Sequence, residues 1–132
     1  RLSYSNAGHN PPLVVRADGR IEELETGGML LGVFPMAEYD EGTVDLEPGD
    51  LCVLFTDGVT EAENKTRDLY SDERLQELLR RHRGESATAI AQVISDDVAR
   101  FSHGLHQSDD VTVIVVKVAD RPAAQIPPAP AA

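Results

Sequence analysis

Three aspartates stand at the ends of two short apolar segments of this sequence. Asp57 follows the run 51–55 and is itself followed by Gly58, and Asp109 and Asp110 precede the run 113–118. Short apolar runs bounded by turn residues indicate buried strands, and side chains at strand ends reach solvent. Carboxylate oxygens are the ligands that Mg²⁺ and Mn²⁺ prefer. The three aspartates are therefore candidate metal ligands.

The same residues also have an ordinary structural interpretation. Asp-Gly is the commonest hairpin-turn dipeptide, and Asp18-Gly19 occurs between two amphipathic segments of the same chain. Adjacent acids at the start of a strand are also common as solvated turn residues. The local pattern alone leaves both interpretations open.

The order of the two apolar runs favours a shared site. If the runs are antiparallel neighbours, the end of the first lies beside the start of the second, so Asp57 meets the Asp109-Asp110 pair at one edge of the sheet. Carboxylates brought together in this way repel each other at neutral pH unless a cation binds between them. The metal interpretation therefore depends on how the strands pair.

The other segments predict an α+β fold of antiparallel strands joined by short turns. The runs 13–15 and 21–25 predict a hairpin around Asp18-Gly19, and 39–46 predicts a polar strand. We expect the glycine-rich stretch 26–35 to be irregular and to pack over the sheet. Residues 63–70 lack periodicity and predict a polar loop.

Two amphipathic helices follow this loop. Ser71 is the expected cap of the first helix, which ends at Gly84, and Ser86 is the expected cap of the second. Apolar residues recur at helical spacing from 87 to 101. Each helix should lie across a face of the sheet.

Composition excludes several classes of function. The 132 residues make at most one domain, and the Ala/Pro-rich tail at 119–132 predicts disorder. The net charge of −11 argues against nucleic acid or an anionic membrane surface as a partner. The sequence has no apolar run of roughly 18 residues and no signal peptide, so we expect a cytoplasmic location. Cys52 is expected to be a small buried apolar residue.

Four ordered motifs make the chain similar to a known family. They are Ser-Asn-Ala-Gly-His-Asn-Pro-Pro at 5–12, Leu31-Gly32, Phe-Thr-Asp-Gly-Val-Thr-Glu-Ala at 55–62 and Asp-Asp-Val-Thr at 109–112. In this order and at these distances they resemble the bacterial PP2C-like serine phosphatases of the sporulation stage II E and sigma-B regulator type. The resemblance covers residues 1–118.

The resemblance implies a metal-dependent protein phosphatase with an α/β/β/α sandwich, in which two antiparallel sheets are flanked by helices. Such enzymes hold two Mn²⁺ or Mg²⁺ ions and use a metal-activated water to attack phosphorus. Asp57 and Asp109 match the family's metal ligands, and Asp110 ranks second to Asp109. Gly58 matches the residue that lets the backbone pass close to the site, and the match implies no catalytic residue beyond the ligands.

One motif of the family has no counterpart in this sequence. It is an early Gly-Asp-Val-Ser-Gly type segment, whose Asp typically bridges the two metals. The resemblance therefore implies that residues 1–118 are the C-terminal portion of the catalytic domain, behind an upstream sensory or regulatory domain. We expect this chain alone to have little or no activity.

Two functions remain open on the sequence. The first is hydrolysis of phosphoserine or phosphothreonine on a regulatory protein, by family analogy an anti-sigma-factor antagonist. The second is a non-catalytic PP2C-like module that binds a partner. The oligomeric state is also open, a homodimer included.

Overall fold

Six short strands and three helices form the part of the chain that the computed structural model describes, residues 1–103 and 110–119. In chain order they are β1 (Leu2–Tyr4), β2 (Leu13–Val15), β3 (Ile21–Glu23), β4 (Gly42–Val44), β5 (Leu51–Phe55), α1 (Asp57–Thr60), α2 (Asp72–His82), α3 (Ala87–Phe101) and β6 (Val113–Lys117). None of the helices in this part combines the length and the apolar character that crossing a membrane requires.

The main sheet is antiparallel and has β5 in its interior. Its strand order is β3-β2-β5-β6, and Val53 of β5 pairs with Leu13 on one side and with Val115 on the other. In the β2–β3 hairpin, Gly19 takes a φ of 93°, which a residue without Cβ adopts at little cost. The predicted hairpin and the predicted pairing of the two apolar runs are both confirmed.

Helices α2 and α3 cover one face of this sheet. Successive side chains of a strand point to opposite faces, so alternate residues of β2 and β5 reach the helices. Burial of their apolar surface is the main force that holds the two layers together. The buried residues of this core include Leu13, Val15, Leu51, Val53, Phe55, Val59, Leu75, Leu79, Ile90, Ile94 and Val98.

The opposite face of the sheet is covered only in part within the described residues. A two-stranded sheet of β1 and β4 supplies Val44, which is buried with Val14 and Cys52. Burial raises the pKa of the Cys52 thiol, as expected of an apolar site. Towards β6 the face is open, and Ile114 and Val116 are 53% and 49% exposed. The expectation that 113–118 is a buried strand is therefore wrong for the described residues, because β6 lies at an edge of the described sheet.

The caps of the two long helices differ from each other. Ser86 accepts a hydrogen bond from the Ala89 N–H at 3.2 Å, as predicted. Ser71 makes no side-chain cap bond and has a φ of 74°, so its predicted capping role is wrong. Its own N–H donates to the Thr60 carbonyl at 2.9 Å, and this tertiary contact accompanies the unusual conformation. Helix α2 ends at His82, two residues before Gly84.

Two other segments depart from the sequence prediction. Residues 26–35 are irregular, but the large apolar side chains from 29 to 36 are exposed instead of packed over the sheet. The predicted strand at 39–46 is reduced to β4, which pairs with β1. Residues 120–132 of the predicted tail lie outside the described part of the chain.

Asp50 joins two turns at the start of β5. It is 2% exposed and accepts hydrogen bonds from the N–H of Glu47 (3.0 Å), the N–H of Ala17 (3.0 Å) and Arg16 Nη1 (2.8 Å). Burial raises the pKa of this carboxyl, but the bonds from Glu47, Arg16 and Ala17 outweigh burial. The pKa of Asp50 therefore lies below its ordinary value.

We expect Asp50→Asn to lower the free energy of unfolding by about 1–3 kcal/mol at neutral pH, because buried donors lose a charged acceptor. Since the pKa of Asp50 is lower in the folded chain, its stabilisation is present above the unfolded pKa of about 3.9. The stabilisation is lost as the pH falls through the folded pKa. Urea unfolding at neutral pH and at about pH 3 measures both effects.

The matched control for this prediction is Asp45→Asn. Asp45 pairs with Arg1 at 3.1 Å, and both side chains are exposed. Loss of this ion pair should therefore leave the urea midpoint of unfolding unchanged. Equal effects of the two variants, or an Asp50 effect that is the same at both pH values, would contradict the role given to Asp50.

Candidate metal-binding site

Thr56 joins the end of β5 to the start of β6. Its N–H donates to the Thr112 carbonyl at 3.1 Å, which continues the ladder beyond the pair Phe55 and Val113. Its hydroxyl donates to the Asp110 carbonyl at 2.9 Å and accepts from the Thr112 N–H at 3.0 Å. Three hydrogen bonds of one residue therefore fix where the chain enters β6.

Asp57 is the first residue of α1, directly after Thr56. Thr56 is the extended N-cap residue, with φ −85° and ψ 161°, and Asp57 is exposed. Gly58 is buried, as are the next two residues of this helical turn. The Asp57-Gly58 pair is therefore part of a helical turn, and the hairpin-turn interpretation of this dipeptide is wrong. The exposed carboxylate is accessible to a cation.

Asp110 stands on the other side of the Thr56 contact. It is exposed, and its backbone is held by the Thr56 hydroxyl. Asp109, the other predicted ligand of this pair, lies outside the described residues. The structure thus brings the backbone of Asp110 beside the residue that precedes Asp57, as the strand pairing predicts.

The donors in this region fit part of a divalent-cation site. Carboxylate oxygens such as those of Asp57 and Asp110 suit Mg²⁺ or Mn²⁺, which take about six oxygen ligands. Within residues 1–103 and 110–119, no group of three or more His, Cys, Asp or Glu is arranged to hold a metal ion. The assignment of Asp57, Asp109 and Asp110 as ligands stays a prediction.

An acidic cleft of about 540 Å³ opens at the same end of β5. Phe55, Thr60 and the loop residues Asn10 and Pro11 form part of its wall. The Glu73 carboxyl accepts from its own backbone N–H and from the Ser71 hydroxyl, which holds its pKa below the ordinary value. The negative wall favours basic groups over a free anion. The carboxylates in the wall are Glu23, Glu61, Asp72 and Glu73.

Tyr70 anchors the chain that follows α1. It is 1% exposed, its hydroxyl donates to Asp97 Oδ2 at 2.6 Å, and its ring packs edge-on against Phe101 at 5.5 Å. Arg74 donates to the same carboxylate at 3.2 Å and lies 5.1 Å from the centre of the Tyr70 ring. The Tyr70 N–H donates to the Ala62 carbonyl at 2.8 Å. Helix α3 is thereby linked to the segment just after α1.

The sequence pattern does not predict the roles of Thr56 and Tyr70. Thr56 acts through backbone groups that lie more than fifty positions away in sequence. Tyr70 ends the stretch 63–70, and this stretch lacks periodicity and therefore predicts a polar loop. The one available signal is an aromatic residue placed between that polar stretch and a helix.

A model of a known protein family matches most of the chain. The family described as stage II sporulation protein E (SpoIIE) matches residues 1–119. This range contains all four motifs on which the sequence resemblance rests.

Two relatives are identical to the chain at about a third of the aligned residues. Phosphoserine phosphatase RsbU of Bacillus subtilis is 34% identical over 119 residues, which are 89% of this chain and 35% of RsbU. Protein IcfG of Synechocystis sp. is 31% identical over 115 residues, which are 87% of this chain and 18% of IcfG. The chain therefore spans about a third or less of the length of these relatives.

A solved structure of a SpoIIE protein shares the fold. The PP2C phosphatase domain of SpoIIE from Bacillus subtilis, solved with a fragment of its regulatory domain, superposes with a TM-score of 0.71 at 21% identity. The superposition covers 88% of this chain and 33% of that chain. The predicted fold class, antiparallel sheets flanked by helices and partial in this chain, is confirmed.

We expect Tyr70→Phe to lower the free energy of unfolding by about 1–2 kcal/mol, because the mostly buried Asp97 loses a hydrogen-bond donor. Thermal unfolding measures this loss. Tyr4→Phe is the matched control, since its hydroxyl makes an exposed bond to Thr26 at 3.3 Å, and it should leave the melting temperature unchanged. Equal melting temperatures for the two variants would contradict the anchoring role of Tyr70.

Proposed function

Because the chain belongs to the stage II sporulation protein E (SpoIIE) family, we propose that it forms part of a metal-dependent phosphatase domain. The reaction is hydrolysis of phosphoserine or phosphothreonine on a protein. The observation that carries this proposal is the Thr56 contact, which joins the residue before Asp57 to the backbone of Asp110. Two acid-bearing chain segments are thus held at one edge of the sheet.

The proposed metal ligands are Asp57 and Asp109, with Asp110 as a further donor. The complete domain is expected to hold two Mn²⁺ or Mg²⁺ ions, which when bound supply a nucleophilic water at neutral pH. Thr56 positions this ligand set through its bonds to the backbone at 110–112. Gly58 carries no side chain and leaves room for the backbone to pass near the ions.

The ligand set within this chain is partial. A cation of this kind takes about six oxygen donors, and water supplies several of them. We propose that residues of the complete domain outside this sequence would supply the remaining carboxylate ligand. The share of RsbU that the chain covers, 35%, is consistent with a domain that extends further.

The proposed substrate is a phosphorylated regulatory protein. RsbU is named a phosphoserine phosphatase, which supports phosphoserine as the substrate group. By family analogy the substrate protein is an anti-sigma-factor antagonist or a similar partner-switching protein of the cytoplasm. The net charge of −11 argues against a nucleic-acid partner. An upstream sensory or regulatory domain would control the reaction.

We expect Asp57→Asn in the complete catalytic domain to reduce Mn²⁺-dependent hydrolysis of p-nitrophenyl phosphate by more than about 100-fold. Loss of a metal ligand should exceed the roughly 10–100-fold effect of groups that only orient ligands. Titration calorimetry should show weaker Mn²⁺ binding in the same variant.

The chain contains its own control for this substitution. Asp18 also precedes a glycine, but it lies in a hairpin turn and pairs with Arg20 at 2.7 Å. Asp18→Asn should therefore leave turnover and Mn²⁺ affinity unchanged. Wild-type Mn²⁺ affinity in Asp57→Asn would remove Asp57 from the site.

A second prediction concerns the 132-residue chain by itself. With Mn²⁺ and p-nitrophenyl phosphate it should show no turnover above the metal-only background, whereas the complete domain should be active. Robust activity of the short chain would contradict the proposed partial ligand set. A folded complete domain without activity would favour the alternative, a non-catalytic module that binds a partner.

A further inference from the structure

The segment 29–36, here called the apolar loop, presents six large apolar side chains to solvent. Each is at least half exposed, and Met36 reaches 90%. Contiguous exposed apolar residues on a soluble protein mark contact sites with other molecules. The six residues are Met29, Leu30, Leu31, Val33, Phe34 and Met36.

The exposure of this loop is built into its backbone. The Asp40 N–H donates to the Gly27 carbonyl at 3.2 Å and closes the base of the loop. The Leu31 N–H donates to the Ala7 carbonyl at 3.1 Å, and a Cβ on Gly8 would lie 2.8 Å from the Leu30 Cα. The loop is therefore held by its backbone while its side chains point outward.

The apolar loop lies next to the segment that borders the acidic cleft. Ala7 accepts the hydrogen bond from Leu31 of the loop, and Asn6 pairs with Thr26 and Gly28 just before the loop. Asn10 and Pro11, a few residues further on, line the cleft. Asn6 also fixes the turn between them, since its amide donates to the His9 carbonyl at 2.9 Å and its Oδ1 accepts the His9 N–H at 2.8 Å. One short, hydrogen-bonded segment thus connects the loop to the cleft at the end of β5.

Charge restricts what can cover the loop. The sequence around the loop, from 21 to 41, contains no Lys, Arg or His. Glu25, Glu38 and Asp40 beside the loop are exposed. A second copy of the chain would bring like charges together, and anionic lipid or nucleic acid would be repelled. A protein surface with apolar residues surrounded by Lys and Arg is complementary.

We propose that the apolar loop is the docking surface for the phosphorylated protein substrate. The inference rests on the proposed phosphatase function and adds the contact by which the substrate protein is selected. Apolar residues of the substrate pack on Leu31 and its neighbours, and basic residues around them face the acidic rim. No residue of the loop lines the cleft, so we expect the contact to govern recognition of the protein and to leave hydrolysis of a small phosphate ester unaffected.

The test compares two substrates in the complete catalytic domain with Mn²⁺. The substrates are p-nitrophenyl phosphate and the organism's serine-phosphorylated anti-sigma-factor antagonist. In Leu31→Asp we expect kcat/KM for the phosphoprotein to fall about tenfold or more through KM, as for the loss of a central apolar contact. Hydrolysis of p-nitrophenyl phosphate should stay within about twofold of wild type. Met36→Asp should act in the same direction.

The control is Ala99→Asp, which adds the same charge on the exposed side of α3, and it should leave both reactions unchanged. Three results would overturn the inference: an unchanged phosphoprotein reaction, an equal loss with both substrates accompanied by a lower melting temperature, or a wild-type dimer that Leu31→Asp dissociates. The second result would mean that the rest of the domain covers the loop. A wild-type domain inactive on both substrates would instead contradict the proposed function itself.

Discussion

The antiparallel pairing of β5 with β6 is the interaction on which the candidate site depends. Beyond the last pair, Phe55 with Val113, Thr56 continues the ladder and holds the backbone at 110–112. A shift of one residue would turn the β5 side chains to the opposite face and remove Val53 and Phe55 from the core under the helices. The buried core thus fixes the register, and the register fixes where Asp57 and Asp110 stand.

The helical turn that carries Asp57 depends on its surroundings for stability. A four-residue helix does not persist alone, because nucleation costs more than one hydrogen bond returns. Here Val59 is buried in the main core, and the chain after the turn is tied to Tyr70 and Ser71 by backbone bonds. The Tyr70 hydroxyl in turn donates a hydrogen bond to Asp97 of α3. Side chains on such a supported element keep their position, which a metal ligand requires.

Hydrophobic periodicity predicts most of the elements correctly, because burial of alternate or i, i+3, i+4 residues leaves a local pattern. The hairpin, the buried β5 and the two long helices all follow from it. Features created by tertiary contacts leave no such pattern. The Ser71 backbone bond to Thr60, the buried Asp50 and the Thr56 bridge each join residues whose neighbourhood only the fold defines. The outward side chains of the apolar loop also contradict a pattern that favours burial.

Anomalous diffraction at the manganese edge, from crystals of the complete domain grown with Mn²⁺, determines whether Asp57 binds a metal ion. We expect a manganese peak about 2.0–2.3 Å from an Asp57 carboxylate oxygen, with Asp109 bound to the same ion. Manganese peaks at other sites, with Asp57 coordinated to none of them, would show that Asp57 is not a metal ligand.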